Sequence, residues 1–320
     1  MDVATRLEIP TPFDVGRVNC YVFEHGGLTL LDPGPATEEA YTELSTGLAA
    51  LGYEIVDVER VLISHPHMDH FGLANRIARE ADARVVAHDD AANRLADPLG
   101  LFRREQALFG PYLRSMGLPE QYVDTVVGIP EQYTEFGEPV EIDRGLVEGE
   151  TVDAGVTLEA LATPGHAPAS LCFIASNEDV VFTGDHVLAG ISPNPLLTVA
   201  PGTDDRRTRS LPDYIASLRK LAALDVSRGY GGHRGPIPDL GARITEIDDH
   251  HQERKERIAG LLDDDGPTSA YRVMGELFPD LPATEMFPGM SEVIGHLDLL
   301  EDEGRVDITE VDGVKRYGLA

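Results

Sequence analysis

Residues 58–72 read VERVLISHPHMDHFG, an apolar run that ends in three histidines and one aspartate within six residues. Val58–Ile63 predicts a short buried strand. The stretch FGLANRIARE that follows carries Leu73, Ala74 and Ile77 at helical spacing. The polar cluster therefore sits on a strand-to-helix turn. His65 and His67, two apart in extended chain, point the same way and can share one ion. Asp69 and His70 open the helix and point towards a second. Holding three imidazoles and a carboxylate this close is costly without a cation to absorb their polarity. Imidazole and carboxylate suit zinc best, with iron or manganese as alternatives.

A two-ion site needs further ligands from other strand ends, and three stretches offer them. ATPGHAPAS places His166 just after a strand, behind a Pro-Gly turn. VFTGDHV places Asp185 at the end of an apolar strand, and GYGGHRGPI places His233 at the end of another. Each sits on a glycine-containing turn, where backbone can approach an ion closely.

The flanking elements predict layered α/β construction. RVNCYVFE and LTLLD form a hairpin through HGG. PATEEAYTELSTGLAALG is a helix that ends at Gly52, and ARVVAH is a strand. EIDRGLVEGETVDAGVTLEALAT predicts antiparallel hairpins. ASLCFIAS and DVVFTGD pair around Asn177-Glu178. LPDYIASLRKLAAL is a helix. Residues 89–139 are helical, broken by Pro and Gly and rich in Phe and Tyr. They read as an inserted lid or as a packing appendage.

The ordered motifs resemble those of the metallo-β-lactamase-fold superfamily, over roughly residues 10–245. Asp32 in LLDPGP, the HPHMDH run, His166, Asp185 and His233 match the family's five motifs in order. The resemblance implies an α/β fold, the αββα sandwich, with two metal ions at one edge. It implies that His65, His67 and His166 hold the first ion, that Asp69, His70 and His233 hold the second, and that Asp185 bridges them. Asp32 would orient a ligand. GGHRGPI departs from the more usual Pro-Gly-His-Gly pattern, which bears on the shape of that loop. An aspartate at the bridging position is typical of the glyoxalase II-like and nuclease branches. True β-lactamases of this fold carry a cysteine there, whereas Cys20 and Cys172 lie in strand-like runs and read as buried hydrophobes.

Two Zn2+ ions would lower the pKa of a water towards about 7 and stabilise the oxyanion that develops when the resulting hydroxide attacks. Asp69 holds that nucleophile and takes its proton. His186, beside Asp185, is a candidate acid for the leaving group, although neighbours on a strand point opposite ways. His88 ends a strand and could line the site. His25, His250, His251 and His296 read as structural or surface residues, with His250 and His251 solvated on a charged helix.

After about residue 240 the character changes. A long charged helix, two shorter helices and a hairpin around Asp312-Gly313 suggest a small winged-helix domain over residues 246–320, after a catalytic domain over 1–245. Val293, Ile294, Leu297 and Leu300 share one helical face. The architecture and the HHQERKERI…LEDEGRV pattern resemble the LACTB-two-like subgroup, some of whose members are endoribonucleases. Chains of this kind are neighbours of glyoxalase II-like hydrolases of esters or thioesters.

The formal net charge is −30, with lysine only at Lys220, Lys255 and Lys315. The acidic residues are spread along the chain, as in a halophilic proteome. Such a charge opposes phosphate-backbone binding, and high salt would screen that opposition. Glu292, Asp298, Glu301, Asp302 and Glu303 lie where a recognition helix would meet phosphate, so a DNA-binding regulator is the weakest reading. A small-molecule thioester, ester or lactone is the expected substrate, with single-stranded RNA as the alternative. A homodimer through the winged helix is compatible with this pattern. No apolar run could span a bilayer, and no signal-like N-terminus is evident, so a cytoplasmic location is expected.

Overall fold

The computed structural model describes residues 3–128, 134–264 and 267–320. Two six-stranded sheets face each other. The first runs β1 (Thr5–Ile9), β2 (Val18–Phe23), β3 (Leu28–Leu31), β4 (Val58–Leu62), β5 (Arg84–His88) and β6 (Arg144–Leu146), in that order. β1, β2 and β3 pair antiparallel, and β3 through β6 pair parallel. The second holds β7 (Thr151–Asp153), β8 (Thr157–Ala162), β9 (Leu171–Ala175), β10 (Val180–Gly184), β11 (Arg228–Gly231) and β12 (Pro236–Ile237), in the order 12-11-10-9-8-7. Only the β10–β11 pair of that sheet is parallel.

Helices cover both outer faces, which explains why the strands read as unbroken apolar runs. On β3, β4 and β10 alternate residues serve different layers. Leu31, Leu62 and Phe182 join Phe23 and Phe173 between the sheets. Leu30 and Val61 turn outward to α1 (Glu38–Leu51) and α3 (Ala74–Ala81), against Leu44, Leu48 and Ile77. Val181 and Cys172 turn outward to α7 (Ser210–Ala222) and α8 (Leu240–Asp264), against Leu218, Leu221 and Ile247. The result is the αββα sandwich. The Thr37 side chain caps α1 and Gly52 ends it at φ 90°. One strand assignment changes. Arg144–Leu146 forms no hairpin with the strands after it, but extends the first sheet parallel to β5.

The insertion holds α4 (Ala92–Ala96), α5 (Pro98–Ser115) and α6 (Glu120–Gly128); residues 129–133 of the predicted lid lie outside the described residues. Rather than standing free, it shares a core with the C-terminal elements. Phe109, Leu113, Val123 and Val126 pack with Ile258, Val273, Met274, Val293, Ile294 and Leu297. Those come from α8, α9 (Ala270–Leu277) and α10 (Met286–Asp302), which precede the hairpin of β13 (Val306–Val311) and β14 (Val314–Leu319).

α10 also departs from expectation. From Gly289 to Asp298 every residue is buried, including Glu292 and Asp298. Asp298 accepts two hydrogen bonds from Arg207, at 2.7 and 2.6 Å, and Glu292 accepts one from Arg254 at 2.8 Å. These carboxylates would not meet a phosphate backbone, because intramolecular arginines already hold them. Among the described residues no helix is long and apolar enough to cross a membrane.

Candidate metal centre

The carboxyl ends of β3, β4, β8, β10 and β11 converge on one edge of the sandwich. Asp32 directly follows β3 at φ 58°, in the left-handed region that aspartate tolerates better than most residues. His65 and His67 follow β4 in extended chain, and His67 stands immediately before α2 (Met68–Phe71), which carries Asp69 and His70. His166 lies in the turn after β8, Asp185 follows β10, and His233 follows β11.

The side chains fall into two groups. His67 Nδ1 lies 3.0 Å from both His65 Nε2 and His166 Nε2. In the second group, Asp69 Oδ2 is 3.2 Å from His233 Nε2 and 3.8 Å from His70 Nε2. Asp185 reaches both. Its Oδ1 is 3.5 Å from His70 Nε2, and its Oδ2 is 3.4 Å from His233 Nε2 and 3.7 Å from His166 Nε2. Such spacings suit ligands about 2 Å from a shared ion.

Four of the other ring nitrogens are held from behind. His70 Nδ1 faces Asp32 Oδ2 at 2.9 Å, His166 Nδ1 faces the Asn194 carbonyl at 3.0 Å, and His233 Nδ1 faces the Arg17 carbonyl at 2.8 Å. His65 Nδ1 faces Ser64 Oγ at 2.9 Å, and that hydroxyl donates to Asp32 Oδ2 at 2.6 Å. Each contact fixes a tautomer that turns Nε2 towards the cluster. Asp32 thereby orients one imidazole in each group.

The front atoms, by contrast, are orphaned. His70 Nε2, His233 Nε2 and Asp185 Oδ1 are buried without a hydrogen-bond partner. Native interiors rarely tolerate such groups, and divalent cations would satisfy all three. Electrostatics divides the cluster too. Burial, helped by neighbouring imidazoles, keeps His65 and His166 below the usual histidine range and pushes His67 down to about 3, so their lone pairs are free. Burial opposes charge on His70 and His233 as well, but Asp185 and its neighbours outweigh it. They lift His70 well above its ordinary value and His233 to about 10. Those protons occupy the places that a cation would take. Asp185, despite burial, is held well below the carboxylate range by His233 and His70.

Two predicted pocket residues stand apart. His186 is buried against the Tyr214 ring, with centroids 5.1 Å apart. Burial pushes its pKa down to about 3, which deprives it of the proton that an acid for the leaving group must give. His88 Nδ1 accepts from the Asp90 amide at 3.0 Å and caps the following turn. Neither joins a ligand group. His251, expected to be solvated, is 2% exposed.

Sequence reading missed the supports of the last loop. Asn19 Nδ2 donates to the carbonyls of Gly231 and Arg234, both at 2.9 Å, and Tyr21 Oη donates to Gly231 at 2.7 Å. Arg234, where the usual pattern has glycine, adopts φ 67° under these restraints. Gly232 is also constrained, since a Cβ there would overlap Asp185 Oδ1 and the His70 ring. Only the doubled glycine of GGHRG hinted at this.

A cavity of about 380 Å³ opens beside His67 and Asp69. Phe13, Met68, Val126, Leu196, Phe287 and Pro288 form its apolar walls, and no arginine or lysine lines it among the described residues.

The comparisons agree with this geometry. The model of the family described as "Metallo-beta-lactamase superfamily" matches residues 13–233. A probable metallo-hydrolase of Bacillus subtilis, YqjP, is 33% identical over 297 residues, covering 93% of this chain and 92% of that protein. An atrochrysone carboxyl ACP thioesterase of Aspergillus fumigatus is 25% identical over 189 residues, 52% of this chain and 56% of that one. The crystal structure of a metallo-β-lactamase family protein from Thermus thermophilus superposes with a TM-score of 0.82 at 30% identity, covering 100% of this chain and 99% of that one.

Proposed function

This chain belongs to the metallo-β-lactamase superfamily and is a hydrolase with a divalent-metal site, and we propose that it uses two ions, zinc by preference, to hydrolyse a small thioester or ester with an apolar acyl part. The cavity beside the ligands carries this reading. Its volume suits a small molecule, its walls are mostly apolar beside Thr284 and Glu285, and among the described residues no arginine or lysine lines it as a nucleic-acid groove would need. The thioesterase among the relatives supports the same substrate class.

His65, His67 and His166 would hold one ion and Asp69, His70 and His233 the other, with Asp185 between them. Bound there, the pair would supply Lewis acidity, drawing the pKa of a water towards neutrality. Asp69 both lines the cavity and touches the cluster, so its carboxylate can orient that water beneath a substrate carbonyl and take its proton. Phe13, Val126 and Phe287 would exclude bulk water around the acyl chain. The catalytic unit would span residues 1–245, with 246–320 completing the cavity wall, in a cytoplasmic protein.

Purified protein should turn over acyl thioesters or activated esters, and chelator or Asp69→Ala should abolish turnover. Phe287→Ala should raise KM for longer acyl chains more than it lowers kcat. Cleavage of single-stranded RNA in concentrated salt, with no turnover across an ester, thioester and lactone panel, would overturn the proposal.

A further inference from the structure

Away from that centre, three side chains of the C-terminal helices converge in a comparable way. His251 lies on α8, and Glu292 and His296 lie one turn apart on α10. One potential ligand atom from each lies within 4.8 Å of the other two. The three residues are 2%, 6% and 0% exposed. Both ring nitrogens of His251 and Nε2 of His296 have no hydrogen-bond partner. The His251 backbone carbonyl also faces the His296 ring and partly offsets the effect of burial on it. Three orphaned imidazole nitrogens beside one carboxylate are a poor way to fill a core.

We propose that His251, Glu292 and His296 form a separate site for a divalent transition-metal ion, with zinc the best fit, clamping α8 to α10. The surroundings suit a ligand set. His296 Nδ1 donates to the Glu292 carbonyl at 2.7 Å, which fixes the tautomer that leaves a lone pair on Nε2. Arg254 Nη1 donates to Glu292 Oε1 at 2.8 Å and steadies the carboxylate. Burial pushes the His251 pKa down to about 4 and lowers that of His296, so both rings are neutral at pH 7, as ligands must be.

A cavity of about 230 Å³, lined in part by Ser192, Asn194, His251, Arg254, Glu285 and Glu292, opens on the cluster. It supplies an entry path and room for a water to complete tetrahedral coordination. Glu285 adds a second carboxylate to the lining of that cavity. Two imidazoles and one carboxylate favour zinc or a neighbouring transition ion over calcium or magnesium. The site shares no residue with the other ligand groups, so it stands whether or not the hydrolytic reading does.

The test is elemental analysis of the full chain, loaded with zinc and desalted. His251→Gln and, separately, His296→Gln should each hold one zinc fewer than the parent, whatever the parent's count. Equal counts in the parent and both folded variants would overturn the site. If the glutamine variants do not fold, a His67→Ala/His70→Ala/Asp185→Ala/His233→Ala protein decides, because it removes ligands from both positions of the hydrolytic centre and leaves α8 and α10 intact. It should keep one zinc per chain and melt higher on zinc addition; no retained zinc and no rise in Tm would sink the proposal.

Discussion

Replacing Asp32 with asparagine should weaken both proposed metal positions at once, although Asp32 is in neither ligand group of the hydrolytic centre. The carboxylate is 2% exposed and accepts from the Ser64 amide at 2.8 Å, the Ser64 hydroxyl at 2.6 Å and His70 Nδ1 at 2.9 Å. Asparagine has the same shape and tolerates φ 58°. It keeps one oxygen, however, and turns an NH2 towards a donor. Hydrogen bonds to a charged acceptor contribute roughly 1.5–3 kcal/mol each. Removing the partner that orients a metal-bound histidine typically lowers metal affinity about 10–100-fold, or about 1.4–2.7 kcal/mol. His70 loses its partner directly, and His65 loses the relay through Ser64. Competition with a chromophoric chelator should therefore show both zinc ions weakened by roughly this factor in Asp32→Asn. Ser64→Ala, which cuts only the relay to His65, should weaken one ion. Folded Asp32→Asn protein with both affinities unchanged would refute the argument that tautomer control from Asp32 builds the centre.

Gly232→Ala should fold yet lose metal, because the new methyl displaces Asp185 and His70; elemental analysis beside circular dichroism checks this. Asp298→Ala strands the Arg207 guanidinium in a largely buried position and should cost about 3–5 kcal/mol in denaturant melts. His186 gives a pH dependence. Its folded pKa of about 3 lies below the unfolded 6.5, so the unfolded chain binds the extra proton. Its contribution is complete above pH 6.5 and is lost as pH falls towards 3. Between pH 7 and pH 5 the loss should be about 2 kcal/mol, and His186→Phe should remove that share of the slope.

The strand ends and the metal motif were legible because each couples a local apolar run to a turn and a polar residue. The hairpins around residues 25–27, at Asn177-Glu178 and at Asp312-Gly313 were legible for the same reason: local chemistry decides them. What escaped was set by partners distant in sequence. Asp298 reads as a surface acid until Arg207, 91 residues earlier, closes on it. His251 sits in a run of charges that marks a solvated helix, yet the face it occupies packs beneath α10. The shared core of the insertion and the C-terminal helices joins stretches more than 130 residues apart, and no local periodicity could signal that union.

Much of the wall of the apolar cavity comes from places remote from the ligands that give it purpose. Val126 belongs to the insertion, and Thr284, Phe287 and Pro288 to the C-terminal stretch, whereas the ligands sit on the sandwich edge. The fold thus separates the inheritance of chemistry from that of taste. Changes at 126 or 284–288 can remodel what the protein accepts while the machinery beneath is passed on intact, so relatives with the same ligands can diverge widely in diet.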